Sequence, residues 1–131
     1  MPFSSLDLAW IRSNSDDSVV CLTRFAALFE STFKTDSHLC LCGMLGAEVA
    51  SLPKPVAAEV ERFFSETELW LANVLASGKR ARLIAFSGSP RTQARMLIAL
   101  LEGAMVVARG MRHNAYFPGM ARSYLLKLKA A

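Results

Sequence analysis

The sequence is poor in the residues that carry most enzyme and metal chemistry. Its 131 residues include two histidines and three cysteines. No glycine-rich phosphate loop follows a strand pattern, and the carboxylates do not cluster at metal-ligand spacing. An odd cysteine count with no sign of secretion argues against a disulfide framework. We therefore expect a protein that is not an enzyme and that holds no metal and no cofactor.

Long hydrophobic runs are also missing. The longest apolar stretch, Met96 to Val107, is interrupted by Glu102 and is far shorter than the roughly 20 residues of a membrane span. The first residues, MPFSSLDLAWIR, contain an early acid and no basic region, so they do not resemble a signal peptide. The net charge of +4 is modest, and most basic residues are scattered. We expect no membrane contact and a cytoplasmic location.

Helical periodicity is what the sequence does have. A chain of 131 residues fits one domain with a proper core, and no stretch alternates as a strand would. Ser89 and Pro90 are typical of an N-cap and first helical residue, and Gly78 is typical of a C-cap. The fold class is therefore predicted to be all-α, with about six helices. These cover approximately residues 6–11, 18–33, 39–51, 56–77, 89–112 and 117–129. Recurrence at three- and four-residue steps predicts an inward face on the second helix and on the fourth. The residues of these two faces are Leu22, Phe25, Ala26, Phe29 and Phe33, and Val60, Phe63, Thr67, Trp70, Leu71 and Val74.

Glycine and alanine at helical positions indicate close packing. Glycine inside a helix costs about 1 kcal/mol relative to alanine, so Gly103 and Gly110 suggest that another backbone approaches them. Ala99 lies four residues before Gly103, and the surrounding segment is apolar nearly all round, which predicts burial on most sides. A partner subunit that completes a four-helix bundle across a two-fold axis would satisfy this pattern.

Two segments carry a family resemblance. They read CLCGMLGAEVASLPKPVAAEVERFFSETELWLANVLASG and ARMLIALLEGAMVVARG. In their order and spacing they resemble the C-terminal regulatory domain of TetR-family transcriptional repressors. The resemblance is closest to the branch in which a Cys-Leu pair opens a short helix, AEVASLP closes it and LLEGA sits in the penultimate helix. It covers about residues 18–130.

The resemblance implies a ligand-binding and dimerisation domain over residues 18–131, with residues 1–17 a remnant of the helix and loop that connect it to a DNA-binding domain. The implied partners are a second copy of the chain, a small-molecule effector, and DNA only through a helix-turn-helix domain that this chain does not contain. The last two helices would form a dimeric four-helix bundle. The implied dimer interface comprises Ala99, Gly103, Ala104, Val107, Ala108, Met111, Tyr124, Leu125 and Leu128.

A small-molecule cavity would lie among the four helices between residues 18 and 112. Its candidate residues are Phe25, Phe29, Cys40, Met44, Glu48, Phe63, Trp70, Glu102 and Met105. The aromatic residues at helical spacing are also typical of plain core packing. Glu48 and Glu102 have two interpretations, since each could anchor a ligand or pair with an arginine, such as Arg95 or Arg109 for Glu102.

The segment HLCLC, residues 38–42, leaves a second alternative open. On a helix, Cys40 and Cys42 would point about 160° apart, which disfavours chelation of one metal ion. Some relatives sense electrophiles through a cysteine at the position of Cys40, and a helix N-terminus near His38 would favour its thiolate. Packing in the core is the other interpretation of Cys40, and it is the one expected for Cys21 and Cys42.

The sequence thus predicts the effector-sensing and dimerisation domain of a TetR-like repressor that releases DNA on binding a small molecule. Two alternatives stay open. One is a stand-alone helical dimer without DNA or ligand binding, and the other is a thiol-based electrophile or redox sensor that uses Cys40.

Overall fold

The computed structural model describes residues 5–36 and 46–130, with side chains over 6–31 and 46–130. This part of the chain contains no strand, so the all-α prediction is confirmed for it, with five α-helices and one short 3-10 turn. None of the described helices is both long and apolar enough to cross a membrane. The helices are α1 (Ser5–Ser13), α2 (Ser18–Asp36), α3 (Lys54–Arg80), α4 (Pro90–Met111) and α5 (Tyr116–Leu128), and the 3-10 turn is Val49–Ser51.

The helix ends follow from local hydrogen bonding. Asp17 Oδ1 accepts from the backbone N–H of Val19 at 2.8 Å, which satisfies a free donor at the start of α2. Ser89 Oγ accepts from the N–H of Thr92 at 3.1 Å, so the predicted N-cap of α4 is confirmed. Arg112 ends α4 in the left-handed conformation, with φ of 53°. The predicted helix over residues 39–51 lies largely outside the described residues.

The sequence predicted that Gly78 ends its helix, but α3 continues to Arg80. It is buried where α3 crosses the start of α2. A Cβ at this position would lie 2.7 Å from Ser18 Cβ and 2.8 Å from Ile84 Cδ1. Ser18 is held there because its Oγ donates to the carbonyl of Val74 at 2.9 Å. The glycine is therefore required by packing, not by the end of a helix.

The core forms between the apolar faces of α2 and α3 and is closed by α4 and α5. On α2 the predicted inward face is confirmed at Leu22, Phe25, Ala26 and Phe29. On α3 it is confirmed at Val60, Phe63, Thr67, Leu71 and Val74. Burying one such leucine or phenylalanine contributes about 1.5–3 kcal/mol to the free energy of folding. These two periodic faces therefore account for the pairing of α2 with α3.

α1 is attached to the core by a single arginine as well as by apolar contacts. Arg12 Nη2 donates to Ser77 Oγ on α3 at 3.0 Å, and its Nη1 lies 3.6 Å from Cys21 Sγ on α2. Leu8 and Ile11 are buried beneath it. Arg12 thus connects α1 with both α2 and α3.

The loop between α3 and α4 is held by the end of the chain. The N–H of Ala85 donates to the carbonyl of Leu128 at 2.7 Å, and the N–H of Ala130 donates to the carbonyl of Leu83 at 3.1 Å. These bonds flank an isolated bridge between Ile84 and Lys129. Together they fix α5 against the α3–α4 pair.

Candidate functional site

A cleft lies between the first turns of α3, residues 46–49 before it, and the middle of α4. Its volume is about 850 Å³, and it is open to the surface. Small residues on both walls leave this space, since neither alanine nor glycine fills it. They are Gly46, Ala47, Ala57, Ala58 and Gly103.

Larger apolar side chains form the rest of the wall. Val49, Val60, Phe64 and Val106 all line the cleft. The ring of Phe64 meets the buried ring of Phe63 edge-on, with centroids 5.3 Å apart. Phe64 thus gives the cleft an aromatic wall that packs against the core.

Among the residues that the structure describes, three charged side chains line the same cleft: Lys54, Glu61 and Glu102. Lys54 and Glu61 are exposed to solvent. Glu102 is half-buried, and its Oε1 atom is shielded from solvent. The site is therefore an apolar cleft with two carboxylates and one ammonium group, and the carboxylate on α4 lies farthest from water.

Glu102 is the member of the predicted pocket that lines this cleft. Of the two arginines proposed as its partner, Arg95 instead donates to Glu68 on α3 at 3.0 Å, and Arg91 donates to the same carboxylate at 2.6 Å. Hydrogen bonding by Arg91, followed by that of Arg95, lowers the pKa of Glu68 below its usual value of 4.5. Arg95 thus belongs to the contact between α3 and α4.

The other predicted pocket residues that the structure describes do not line the cleft. Phe25, Phe29, Phe63 and Met105 are buried in the core and do not line the cleft. Trp70 is partly buried and stacks on Phe25, with ring centroids 5.7 Å apart. Glu48 is exposed beside the cleft. These aromatic residues thus pack in the core, and their contact with a ligand stays a prediction.

The residues that sequence reasoning missed are mostly small. Ala57, Ala58 and Gly103 give the cleft its room, yet nothing in their chemistry marks them as ligand contacts. The sequence did contain one indication. Val60 and Glu61 follow Ala57 by three and four residues, which places all three near one face of α3. Only the neighbouring helix decides that this face borders a space.

The cysteine-rich segment cannot be placed, because His38, Cys40, Cys42 and Met44 lie outside the described residues. The reactive-thiol interpretation of Cys40 therefore stays a prediction. Cys21 is fully buried as a free thiol, in agreement with its predicted core position. Across residues 5–36 and 46–130, no three His, Cys, Asp or Glu side chains come together as a metal site would require.

One face of α4 is open and apolar. Met96, Val106 and Met111 on this face are 55%, 56% and 61% exposed. A Cβ added at Gly103 or Gly110 would meet no atom within 4 Å. The predicted burial of the segment on most sides is therefore not achieved within one chain.

The residues predicted for the dimer interface divide into three groups. Ala99, Gly103, Val107 and Met111 are exposed on α4, and Tyr124 and Leu125 are partly buried on α5. Three further positions, Ala104, Ala108 and Leu128, are buried in the subunit's own core. The dimer interface itself stays a prediction.

Comparison with known proteins gives structural neighbours only. No family model matches the chain, and no curated protein matches it. Two solved structures do. A TetR-family transcriptional regulator from Agrobacterium tumefaciens superposes with a TM-score of 0.88 at 28% identity, over 94% of this chain. A TetR transcriptional regulator from Legionella pneumophila superposes with a TM-score of 0.81 at 24% identity, over 95% of this chain.

The chain spans 65% of the length of each of these two proteins. Both neighbours are transcriptional regulators and neither is described as an enzyme. One conclusion follows from the order of the helices, the cleft beside α4 and the two superpositions. This chain has a TetR-like fold, the fold of transcriptional regulators of that family.

Proposed function

We propose that this chain is the effector-binding and dimerisation part of a TetR-like repressor that releases DNA when a small molecule binds. The observation that carries the proposal is the apolar cleft of about 850 Å³ beside α4. Ligand pockets in proteins usually measure roughly 300–1,000 Å³ and combine apolar walls with a few polar groups. The cleft fits that description, and it occurs in a fold shared with transcriptional regulators.

The proposed dimer uses the open face of α4. Ala99, Gly103, Val107 and Met111 would pack against a second copy, with Tyr124 and Leu125 of α5 at the edge. Gly103 costs its helix about 1 kcal/mol relative to alanine, and among the described residues a Cβ there would meet no atom of a neighbouring element within 4 Å. Close approach by a partner helix would explain why a glycine is present at this position.

Ligand and partner would then influence each other through α4. Gly103 both lines the cleft and lies on the proposed interface. A ligand that fits one arrangement of the two subunits better than another shifts the population toward it. The Arg12 contacts to α2 and α3 would carry that shift to α1. DNA would be contacted through a separate helix-turn-helix domain, and the complex would work in the cytoplasm.

Sedimentation tests the dimer. We expect the 14.3-kDa chain to sediment as a dimer at micromolar concentration. Val107→Arg should produce a monomer, because the guanidinium would be buried at the interface. Asn73→Arg is the control, since Asn73 is exposed on α3 and does not belong to the proposed interface. A monomeric wild-type protein would contradict the proposal.

Ligand binding is tested by a thermal-shift screen of small metabolites and electrophiles. A ligand of the cleft should raise the melting temperature of the wild type and of Asn73→Trp but not of Ala57→Trp, whose indole would fill the cleft. If no compound binds while the chain still dimerises, the stand-alone dimer is the better account. In a chimera with a TetR-family helix-turn-helix domain ahead of α1, a ligand that binds should weaken operator binding.

A further inference from the structure

A second groove lies between α2 and α5. Its volume is about 300 Å³, and none of the described residues that line it also lines the cleft beside α4. Ala26 of α2 and Ala121 of α5 line the groove and are nearly buried, so they form its floor. Because neither side chain extends beyond Cβ, the two helices pack together here and still leave a depression along their contact.

The walls above this floor are largely apolar. Val19 lines the groove on α2, and Pro118 and Leu126 line it on α5. Leu126 is 60% exposed, so an apolar molecule bound there would remove open apolar surface from water. Thr23 also lines the groove, but its Oγ1 already donates to the carbonyl of Val19 at 2.8 Å. The body of a ligand would therefore be apolar.

Two cationic side chains border the groove on its α5 wall. Arg122 and Lys129 both line it, and both are exposed. They are separated by seven residues, which places them on the same side of the helix and roughly 10 Å apart along its axis. Among the described residues, neither side chain donates to a carboxylate. Each of the two can therefore pair with an anion from outside the chain.

The opposite wall carries a carboxylate. Glu30 of α2 lines the groove as well, and it already takes part in an interaction. It does not lie on the α5 wall, where Arg122 and Lys129 stand on either side of Leu126. An anionic group placed along that wall would meet two cations, whereas an ammonium group there would be repelled by both.

From these features we infer that the groove is a second binding site, which takes a small apolar molecule with one carboxylate. The apolar walls contact the body of the ligand, and Arg122 and Lys129 attract its carboxylate. A volume of about 300 Å³ is at the lower end of the range for ligand pockets, so the ligand is small. This site is independent of the effector cleft and does not rest on the proposed function.

Three probes with the same alkyl chain test the charge. At neutral pH octanoate is anionic, octanol is neutral and octylamine is cationic. We expect amide NMR titration of the wild-type protein with octanoate to shift signals of α2 and α5. The affinity for octanoate should exceed that for octanol about three- to fivefold, as for a solvent-exposed ion pair. Octylamine should bind most weakly, and added salt should reduce the preference for octanoate because exposed charges are screened.

Charge-removing variants then locate the effect. Arg122→Gln combined with Lys129→Gln should abolish the preference for octanoate over octanol, and each single variant should reduce it about twofold. Lys127→Gln is the matched control, because Lys127 is exposed on the same helix and does not line the groove.

A variant that fills the groove tests its location. Ala27 is exposed on α2 and lines the groove, so the indole of Ala27→Trp should prevent the octanoate-induced shifts. Asn73→Trp on α3 is the control for an added indole elsewhere on the surface.

The outcomes separate this inference from the proposed function. If octanol or octylamine binds as tightly as octanoate, or the double variant keeps the preference, the carboxylate class is wrong. If octanoate shifts no signals of α2 and α5, or Ala27→Trp binds it as the wild type does, the groove is not the site. The ligand screen with Ala57→Trp decides the proposed function separately, because Ala57 lines the cleft and not the groove.

Discussion

The two faces of α4 have similar composition and opposite surroundings. On one face Leu97, Leu101 and Met105 are packed against the other helices and have almost no exposed surface. On the other face Met96 and Val107 are at least partly open to solvent, and a Cβ at Gly103 would meet no atom of another described element within 4 Å. Both sets are apolar and both recur at helical spacing.

The difference shows that hydrophobicity alone does not place a residue in the core of its own chain. Soluble proteins expose many single apolar residues without consequence, but a contiguous apolar face usually marks an interaction site. The inner face of α4 stabilises the subunit. In our proposal the outer face stabilises an assembly, so substitutions on the two faces should differ in how they depend on protein concentration.

The largest effect is expected at the inner face. Leu101 is fully buried, and replacing such a leucine by alanine removes about 2–5 kcal/mol of stability through lost contacts and a residual cavity. Urea unfolding of Leu101→Ala should show this loss at every protein concentration. Met96→Ala on the outer face is the comparison.

Met96→Ala should change the stability of the isolated subunit by less than about 0.5 kcal/mol, as expected for an exposed site. If the outer face binds a second copy, the effect of Met96→Ala on the unfolding midpoint should grow with protein concentration, because association stabilises the folded state. Losses of the same size for both variants at all concentrations would remove the distinction between the faces.

A smaller effect is expected from two glycines in helices. Gly78→Ala gains about 1 kcal/mol in helix propensity, but its Cβ would lie 2.7 Å from Ser18 Cβ, and overpacking of this kind costs about 1–3 kcal/mol. We expect a net loss of stability in urea unfolding. The matched variant Gly103→Ala meets no atom within 4 Å.

Gly103→Ala should therefore stabilise the subunit by up to about 1 kcal/mol, while it weakens the proposed dimer in sedimentation because a methyl group would separate the two helices. An increase in stability for Gly78→Ala would show that the start of α2 moves aside easily. An unchanged dimer for Gly103→Ala would place the partner elsewhere on α4.

The last effect appears only at alkaline pH and concerns Tyr124, at the boundary between α5 and the inner face of α4. Its hydroxyl donates to Oε1 of the buried Gln93. Burial raises the pKa of the Tyr124 hydroxyl from 10.0 to about 12. Between these two values the unfolded chain releases the phenolic proton while the folded chain keeps it, so stability should fall as pH rises through this range.

Urea unfolding of the wild type and of Tyr124→Phe across alkaline pH measures this difference. The variant should lose less stability than the wild type between about pH 10 and 12, since phenylalanine has no proton to release. Parallel curves for the two proteins would mean that the hydroxyl is more accessible to water than its packing indicates.

Much of the helical framework could be predicted from local patterns. The apolar spacing on α2 and α3 identified their inner faces, and Ser89 with Pro90 identified the start of α4, because these features depend on residues close in sequence. Gly78 was wrongly predicted to be a C-cap because local sequence does not show which distant residues pack against it. A C-cap and a packing glycine look alike until the position of Ser18 is known.

The site was less predictable. The large aromatic residues Phe25 and Phe29 were good candidates for a pocket, but they fill the core. The cleft is made by Ala57, Ala58 and Gly103, which matter because they leave space and not because of a reactive group. Space between helices depends on how the helices pack, which periodicity along one helix does not describe.

The sequence by itself determined that the described chain is helical, which faces of α2 and α3 turn inward, and that α4 is apolar on more sides than one chain needs. These are local properties of residues three or four positions apart. Only the tertiary structure decided that Ala104, Ala108 and Leu128 are buried, that Gly103 is open and that Glu102 lines a cleft. Those outcomes depend on contacts between distant segments, and such contacts exist only once the helices have packed.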